Sequence, residues 1–163
     1  MDNLKLENQL CFPLYACSKE VIRKYKPLLD KLDLTYTQYI TMMVLWEHND
    51  INVKQLGEIL YLDSGTLTPL LKKLEYKNYI SIGHNKDDKR NLVISITKEG
   101  KELKQKASLI PTEIGKCINL SQEESSELYK LLYKMLKDKW KEGLKPSFIL
   151  FLIYYNSHDY LIL

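Results

Sequence analysis

The period of the apolar residues changes once along this chain, and that change constrains the fold more than any other feature. Four leucines recur at three- and four-residue steps, the spacing of one helix face: Leu67, Leu70, Leu71 and Leu74. In residues 79–82 and 92–97 the apolar residues instead follow a period of two, as in half-buried strands. Because residues 84–91 between these runs are polar and highly charged, the sequence predicts a helix followed by a β-hairpin with a solvated tip.

Capping signals predict three helices up to this hairpin. Residues 35–38 (Thr-Tyr-Thr-Gln) form a capping box and open a helix that runs to residue 46 or 47. Residues 52–55 repeat the pattern more weakly and open a short helix that ends at residue 60. After a tight connection, Asp63 or Ser64 caps the helix that carries the four leucines and ends near residue 77.

An apolar stripe over residues 10–31 predicts a long first helix. Its members are Leu10, Leu14, Cys17, Val21, Tyr25 and Leu28. Pro13 is tolerated only in the first turn of a helix, so Cys11 is expected close to the helix start. Cys17 falls on the stripe, and we interpret it as a core residue.

Two further helices are predicted after the hairpin. The first runs from Lys98 to about Ile110, where Pro111 interrupts it. The second follows a capping box at residues 121–124 and carries one apolar face: Leu128, Leu131, Leu132, Met135 and Leu136.

Composition restricts the class of protein and the kinds of site. The 163 residues fit one domain, or a small domain with a dimerisation extension. A net charge of +3 requires that any charge that binds nucleic acid be local. The first ten residues lack the layout of a signal peptide, so we expect a cytoplasmic protein. Cys11, Cys17 and Cys117 lack CxxC spacing and the histidines do not cluster, so no metal or other cofactor is expected.

The order of the elements is that of a winged helix–turn–helix, a mainly α fold with a small β-hairpin wing (α+β). In this fold the second helix of the pair enters the major groove with its N-terminal residues against the bases, and the lysines beyond them reach phosphates. The candidate DNA-binding residues are Ser64, Gly65, Thr66, Thr68, Lys72 and Lys73 on the helix, and Lys86, Lys89 and Arg90 on the hairpin. Charge runs alone usually mark solvated surface, but their position in this order favours DNA.

Several motifs resemble those of the MarR family of regulators. Residues 88–90 (Asp-Lys-Arg), with the strand at 92–96 and Thr-Lys-Glu-Gly at 97–100, are similar to the family's D-x-R wing signature and T-x-x-G helix start. More specifically, four segments resemble OhrR, the organic-hydroperoxide repressor branch: LENQLC at 6–11, YTQY at 36–39, LWE at 45–47 and YLDSGTLTP at 61–69. The resemblance covers about residues 4–139.

The resemblance implies an obligate homodimer that binds a pseudopalindromic, double-stranded operator. We accordingly assign residues 1–34 and 98–142 to a helical dimerisation region and residues 35–97 to the winged DNA-binding domain. Residues 143–163 form an apolar tail of unassigned role; its run of eight apolar residues is too short to span a bilayer. The family pattern further implies that Arg90 reads the minor groove and that Asp88 steadies the wing.

The resemblance also gives Cys11 the role of the peroxide-sensing cysteine. Tyr15 lies four residues later on the same helix face, and the resemblance implies that Tyr25 and Tyr36 of the partner subunit complete its set of hydrogen-bond donors. Attack on an organic hydroperoxide would leave a sulfenic acid on Cys11. Cys117 lies where two-cysteine members of the family carry a resolving cysteine, which implies an intersubunit disulfide that moves the winged domains off DNA.

Three alternatives stay open at the level of sequence. A one-cysteine mechanism would use an external small thiol in place of Cys117. A MarR-type repressor could instead be released by a small aromatic ligand, with Cys11 not the sensor. A thiol-dependent peroxidase is the third, but the chain has no thioredoxin-like βαβ pattern, and we expect no enzyme.

Overall fold

A computed structural model describes residues 3–84 and 92–136 of the chain. Seven α-helices lie within these residues: α1 Cys11–Leu29, α2 Tyr36–His48, α3 Val53–Leu60, α4 Ser64–Tyr76, α5 Lys98–Ala107, α6 Ile110–Lys116 and α7 Gln122–Leu136. Three strands accompany them: β1 Asp50–Asn52, β2 Ile80–His84 and β3 Leu92–Ile96. Contacts divide the chain into a first unit, Met1–Ile118, and a second unit, Asn119–Leu163.

The strands form an antiparallel sheet in the order β1-β3-β2. Ile94 at the centre of β3 is opposite Ile51 of β1 and Ile82 of β2, so one buried isoleucine joins both pairings. The predicted hairpin of β2 and β3 is confirmed. Strand β1 was not predicted, because three residues with polar neighbours carry no period that a sequence pattern can reveal.

The core of the first unit lies between the helices and one face of this sheet. All four leucines of the α4 stripe are buried, as predicted, and they pack with Met42 and Leu45 of α2, Leu56 of α3, and Ile80 and Ile94 of the sheet. Burying a side chain of this size contributes about 1.5–3 kcal/mol relative to leaving it exposed. The apolar period in the sequence therefore identified the residues that hold α4 in place.

The predicted caps are formed. Thr35 and Gln38 make a reciprocal capping box at the start of α2: the Gln38 backbone N–H donates to Thr35 Oγ1 (3.3 Å) and the Thr35 N–H donates to Gln38 Oε1 (3.0 Å). The Asn52 side chain accepts from the Gln55 N–H at 2.7 Å and caps α3. Asp63, rather than Ser64, caps α4.

The start of helix α5 is held against the turn after α4 and against α2. The Thr97 hydroxyl donates to the Asn78 carbonyl at 2.7 Å and accepts from the Gly100 N–H at 3.0 Å. The Trp46 indole N–H donates to the Gly100 carbonyl at 2.8 Å. A Cβ at Gly100 would lie 2.1 Å from the Tyr79 carbonyl oxygen, so the T-x-x-G motif needs its glycine for close packing.

Three details of the sequence prediction are wrong. Helix α5 ends at Ala107, and Pro111, expected to end it, lies in the first turn of a separate helix, α6, where a missing N–H costs nothing. Strand β2 begins at Ile80 rather than at residue 79, because the Tyr79 N–H bonds to the Leu74 carbonyl in the turn after α4. Cys17, interpreted as a core residue, is exposed in the single chain because the stripe around it is not covered.

The second unit contributes helix α7 to the described residues. Its predicted capping box is present: the Glu124 N–H donates to Ser121 Oγ (3.2 Å) and the Ser121 N–H donates to Glu124 Oε2 (2.8 Å). The apolar face of α7 is exposed at all five predicted positions: Leu128, Leu131, Leu132, Met135 and Leu136. No helix within residues 3–84 or 92–136 has both the length and the apolar character needed to cross a membrane.

Candidate DNA-binding and thiol sites

The exposed side of α4 carries the predicted base-reading residues. At about 100° per residue, the four buried leucines occupy roughly a third of the helix circumference, which leaves the opposite side free. Six predicted residues are exposed there: Ser64, Gly65, Thr66, Thr68, Lys72 and Lys73. The small side chains lie at the N-terminal end and the lysines lie two turns further on, so the helix can approach base edges at one end and phosphates at the other.

Asp63 orders the N-terminal end of this helix. Its carboxylate accepts from the Thr66 N–H at 2.9 Å and from the Thr66 hydroxyl at 3.0 Å. These hydrogen bonds from Thr66 lower the pKa of Asp63 because they stabilise its charged carboxylate. Since the Thr66 hydroxyl hydrogen is used here, the Thr66 hydroxyl oxygen is left only as a hydrogen-bond acceptor.

The turn that joins α3 to α4 depends on two residues that the sequence prediction did not single out. Tyr61 has a left-handed backbone (φ 54°) and ends α3. A Cβ at Gly57 would lie 2.9 Å from the Leu62 carbonyl oxygen, and the Leu62 N–H donates to the Gly57 carbonyl at 3.0 Å. The close approach of Gly57 to Leu62 therefore fixes the turn between α3 and α4. The sequence signal that could have identified Gly57 is the presence of a glycine within a short helix.

The wing is described up to its two strand ends. Lys86, Asp88, Lys89 and Arg90, the predicted hairpin residues, lie outside the described residues. On the strand side, the Ile82 N–H of β2 donates to Glu75 Oε1 of α4 at 3.0 Å. Strand β2 is thus hydrogen-bonded directly to α4, the recognition helix of the predicted helix–turn–helix. The sequence prediction missed this contact because a single side chain joins the two elements.

Cys11 is the first residue of α1 and is exposed. Pro13 lies in the first turn, as predicted, which removes one N–H from the set that a helix start leaves unpaired. The predicted Tyr15 lies on the next turn and is exposed, and its hydroxyl oxygen is 3.2 Å from Lys19 Nζ, which donates to it. Among the hydrogen bonds of the described residues, none joins Tyr15 to Cys11.

Tyr25 and Tyr36 are brought together within one chain. Their ring centroids are 5.0 Å apart in an edge-on arrangement, and Tyr39 lies 5.8 Å from Tyr25. Burial raises the pKa of all three phenols, with a further contribution from the neighbouring phenols at Tyr25 and Tyr39, and it takes the pKa of Tyr39 to about 12. The hydroxyls therefore stay protonated at neutral pH and are available as hydrogen-bond donors.

Cys11 cannot use these two tyrosines of its own chain. Tyr25 lies fourteen positions after Cys11 in one continuous helix, which at a rise of 1.5 Å per residue places them about 21 Å apart along the axis. Cys117 follows the last residue of α6, a helix that packs against α1, and its thiol is exposed. Within one chain, the exposed thiol of Cys11 and the phenol pair of Tyr25 and Tyr36 are therefore too far apart to contact each other.

Comparison with known proteins identifies the family. A family model described as the transcriptional regulator SarA/Rot matches residues 23–107. An organic hydroperoxide resistance transcriptional regulator of Bacillus subtilis is 49% identical over 136 residues, which is 83% of this chain and 92% of that protein. The chain belongs to the MarR-type family of DNA-binding winged-helix transcriptional regulators.

Solved structures of the regulator AbfR of Staphylococcus epidermidis are similar in fold. Reduced AbfR bound to DNA is 33% identical, with a TM-score of 0.68 over 84% of this chain and 95% of AbfR. Disulfide-formed AbfR is 32% identical, with a TM-score of 0.60 over 84% and 93%. The predicted winged-helix fold and the predicted family are confirmed.

Proposed function

We propose that the protein is a cytoplasmic, homodimeric repressor that leaves its operator when an organic hydroperoxide oxidises Cys11. The observation that carries the proposal is the division of the thiol site: an exposed Cys11 begins α1, and the paired phenols of Tyr25 and Tyr36 lie near its other end. An antiparallel second copy would bring one end of α1 to the other end of its partner. Cys11 would then contact Tyr25 and Tyr36 of the partner subunit.

The apolar surfaces of the single chain support a homodimer. Leu10 at the N-cap of α1 and Phe12 and Ile22 on that helix are exposed, and α7 exposes five apolar side chains along one face. Soluble monomers rarely leave an apolar face such as that of α7 uncovered. Two winged domains related by a two-fold axis would read two half-sites, so we expect a pseudopalindromic double-stranded operator.

The chemistry begins with the Cys11 thiolate. The thiolate attacks the terminal oxygen of the hydroperoxide, the O–O bond breaks, and the alkoxide leaves as an alcohol after taking a proton, so that Cys11 becomes a sulfenic acid. Protonated Tyr25 and Tyr36 of the partner subunit would donate hydrogen bonds to the thiolate.

Cys117 would complete the reaction across the dimer. Its thiol attacks the sulfenic sulfur of the partner's Cys11, a disulfide forms and water leaves. Both thiols are exposed in the single chain, so a second subunit has access to each. The relatives support this order of events: one is named for organic hydroperoxide resistance, and another is solved both reduced on DNA and in a disulfide form.

An operator-binding assay across a cumene hydroperoxide titration tests the proposal, with a DNA fragment that the wild-type protein has selected from random sequence. Wild type and the matched control Cys17→Ser, which removes the other exposed thiol of α1, should release DNA at the same dose. Cys11→Ser should bind normally and stay bound. Release of Cys11→Ser at the wild-type dose would refute the sensor assignment.

A non-reducing gel of the same samples tests the second thiol. Oxidised wild type and Cys17→Ser should give a dimer-sized band that a reductant removes, and Cys117→Ser should give none. A full dimer band from oxidised Cys117→Ser would assign the disulfide to another cysteine. If wild type ignores hydroperoxide and a phenolic compound releases it from DNA, the protein is instead a ligand-responsive repressor.

A further inference from the structure

The contact between α4 and β2 carries an inference about how the two DNA-binding elements are held relative to each other. β2 is an edge strand of the described sheet, since the order is β1-β3-β2. Edge strands present unpaired backbone N–H groups on their outer side. One of these, the Ile82 N–H, donates to Glu75 Oε1 at 3.0 Å. A carboxylate of the recognition helix therefore occupies a position that a fourth strand would otherwise fill.

Glu75 lies on the same flank of α4 as two of the predicted base-reading residues, Ser64 and Thr68. It follows Ser64 by eleven residues and Thr68 by seven, so at about 100° per residue the three side chains lie within roughly 40° of one another around the helix. A bond from β2 to Glu75 holds the wing strand along this same side. An acidic side chain here is unfavourable for phosphate binding in itself, because like charges repel. The contribution of Glu75 to DNA binding would therefore come from the hydrogen bond that it accepts from Ile82.

We propose that Glu75 is a positioning residue that fixes the orientation of the hairpin relative to the recognition helix, so that both engage one operator half-site together. The inference rests on the operator binding proposed above. Lys86, Lys89 and Arg90, the predicted hairpin contacts to DNA, follow β2 in the sequence, so the bond to Glu75 constrains the strand that precedes them. Glu75 itself makes no contact with bases in this arrangement.

The distinction between acceptor and charge makes the proposal testable. Glu75→Gln keeps an oxygen acceptor for the Ile82 N–H and removes the negative charge, whereas Glu75→Ala removes both. Glu99→Ala is the matched control, since Glu99 is an exposed acid in the first turn of α5. The measurement is the dissociation constant for the fragment selected by wild type, taken at several salt concentrations with all proteins reduced.

Glu75→Ala should bind about three- to tenfold more weakly, the loss that corresponds to one hydrogen bond of ordinary net strength. Its slope of log K against log salt should be shallower by ~0.9 for each phosphate contact that the wing loses. Glu75→Gln should bind at least as tightly as wild type. Amide exchange at Ile82 should be faster in Glu75→Ala and unchanged in Glu75→Gln, and Glu99→Ala should keep the wild-type slope.

A cycle with Arg90→Ala distinguishes positioning from general destabilisation. If Glu75 aims the wing, Arg90→Ala should cost less in the Glu75→Ala background than in wild type, because the two changes then remove the same contact. Strictly additive losses, a wild-type affinity for Glu75→Ala, or a Glu75→Gln as weak as Glu75→Ala would each overturn the inference. A wild-type protein that selects no DNA sequence would contradict the proposed function as well.

Discussion

Helices α1 and α4 differ in how much of their structure one chain completes. Helix α4 buries four leucines in 13 residues, and the Asp63 side chain caps it. Helix α1 buries only Leu29 in 19 residues, and no side chain caps its N-terminus. The proposed DNA-reading helix is thus completed within one chain, whereas the helix that carries the proposed sensing thiol leaves apolar residues exposed. The difference supports the proposal that sensing requires a second subunit, whereas the packing and capping of α4 do not require one.

Gly100→Ala is the strongest test of the packing that one chain completes by itself, here between α5 and the turn after α4. A Cβ there would lie 2.1 Å from the Tyr79 carbonyl oxygen, a backbone atom that cannot move away alone, so we expect a loss of about 3 kcal/mol or more in the free energy of unfolding. Urea denaturation measures it. In the control, Gly115→Ala, the added Cβ meets nothing within 4 Å, so that variant should be neutral or more stable by up to about 1 kcal/mol. Equal stability of the two variants would break the account of this packing.

Asp63→Ala tests how much the side-chain cap contributes to the stability of α4. Loss of the N-cap should cost about 1 kcal/mol in the free energy of unfolding. Operator affinity should fall as well, since the Thr66 N–H and hydroxyl lose their common acceptor. Asp63→Asn, which keeps a capping oxygen, should stay close to wild type in a urea titration. If Asp63→Asn lost as much stability as Asp63→Ala, the charge rather than the cap would be the cause.

The buried phenols predict a smaller effect at alkaline pH. In the unfolded chain a tyrosine loses its proton near pH 10, whereas Tyr39 in the folded chain holds it until about pH 12. The unfolded state therefore binds fewer protons between these values, and stability should fall as pH rises through this window. Tyr39→Phe should make the fall less steep in urea titrations at pH 9 to 12. An unchanged slope would show that Tyr39 is not protected from ionisation.

Local signals in the sequence predicted most of the DNA-binding half. Thr35, Asn52 and Asp63 act through backbone groups two or three residues away, so their helix starts could be read directly. Strand β1 exists only because Ile51 pairs with Ile94, more than forty residues later. The bond between Glu75 and Ile82 likewise depends on a tertiary contact. The separate helix α6 depends on whether Pro111 ends one helix or begins the next, and the sequence pattern leaves that open.

For the proposed thiol site, the sequence identified the individual residues but not how they are arranged. The resemblance named Cys11, Tyr15, Tyr25 and Tyr36, and the structure adds that Tyr25 and Tyr36 are already paired within one chain. Exposure of Cys17 was not predictable, because an apolar stripe has the same period whether its own chain or a second copy covers it. In the single chain, the Tyr15 hydroxyl oxygen accepts a hydrogen bond from Lys19 rather than contacting Cys11.

The central claim is that the second subunit completes the Cys11 site, and a heterodimer tests it most directly. One subunit carries Cys11→Ser with its tyrosines intact; the other keeps Cys11 and carries Tyr25→Phe and Tyr36→Phe. The rate of sulfenic acid formation with cumene hydroperoxide is compared with that of the homodimer of the tyrosine variant. The account predicts a wild-type rate per remaining Cys11 in the heterodimer and a slow rate in the homodimer. An equally slow rate in both would show that the tyrosines act within their own chain and would contradict the account.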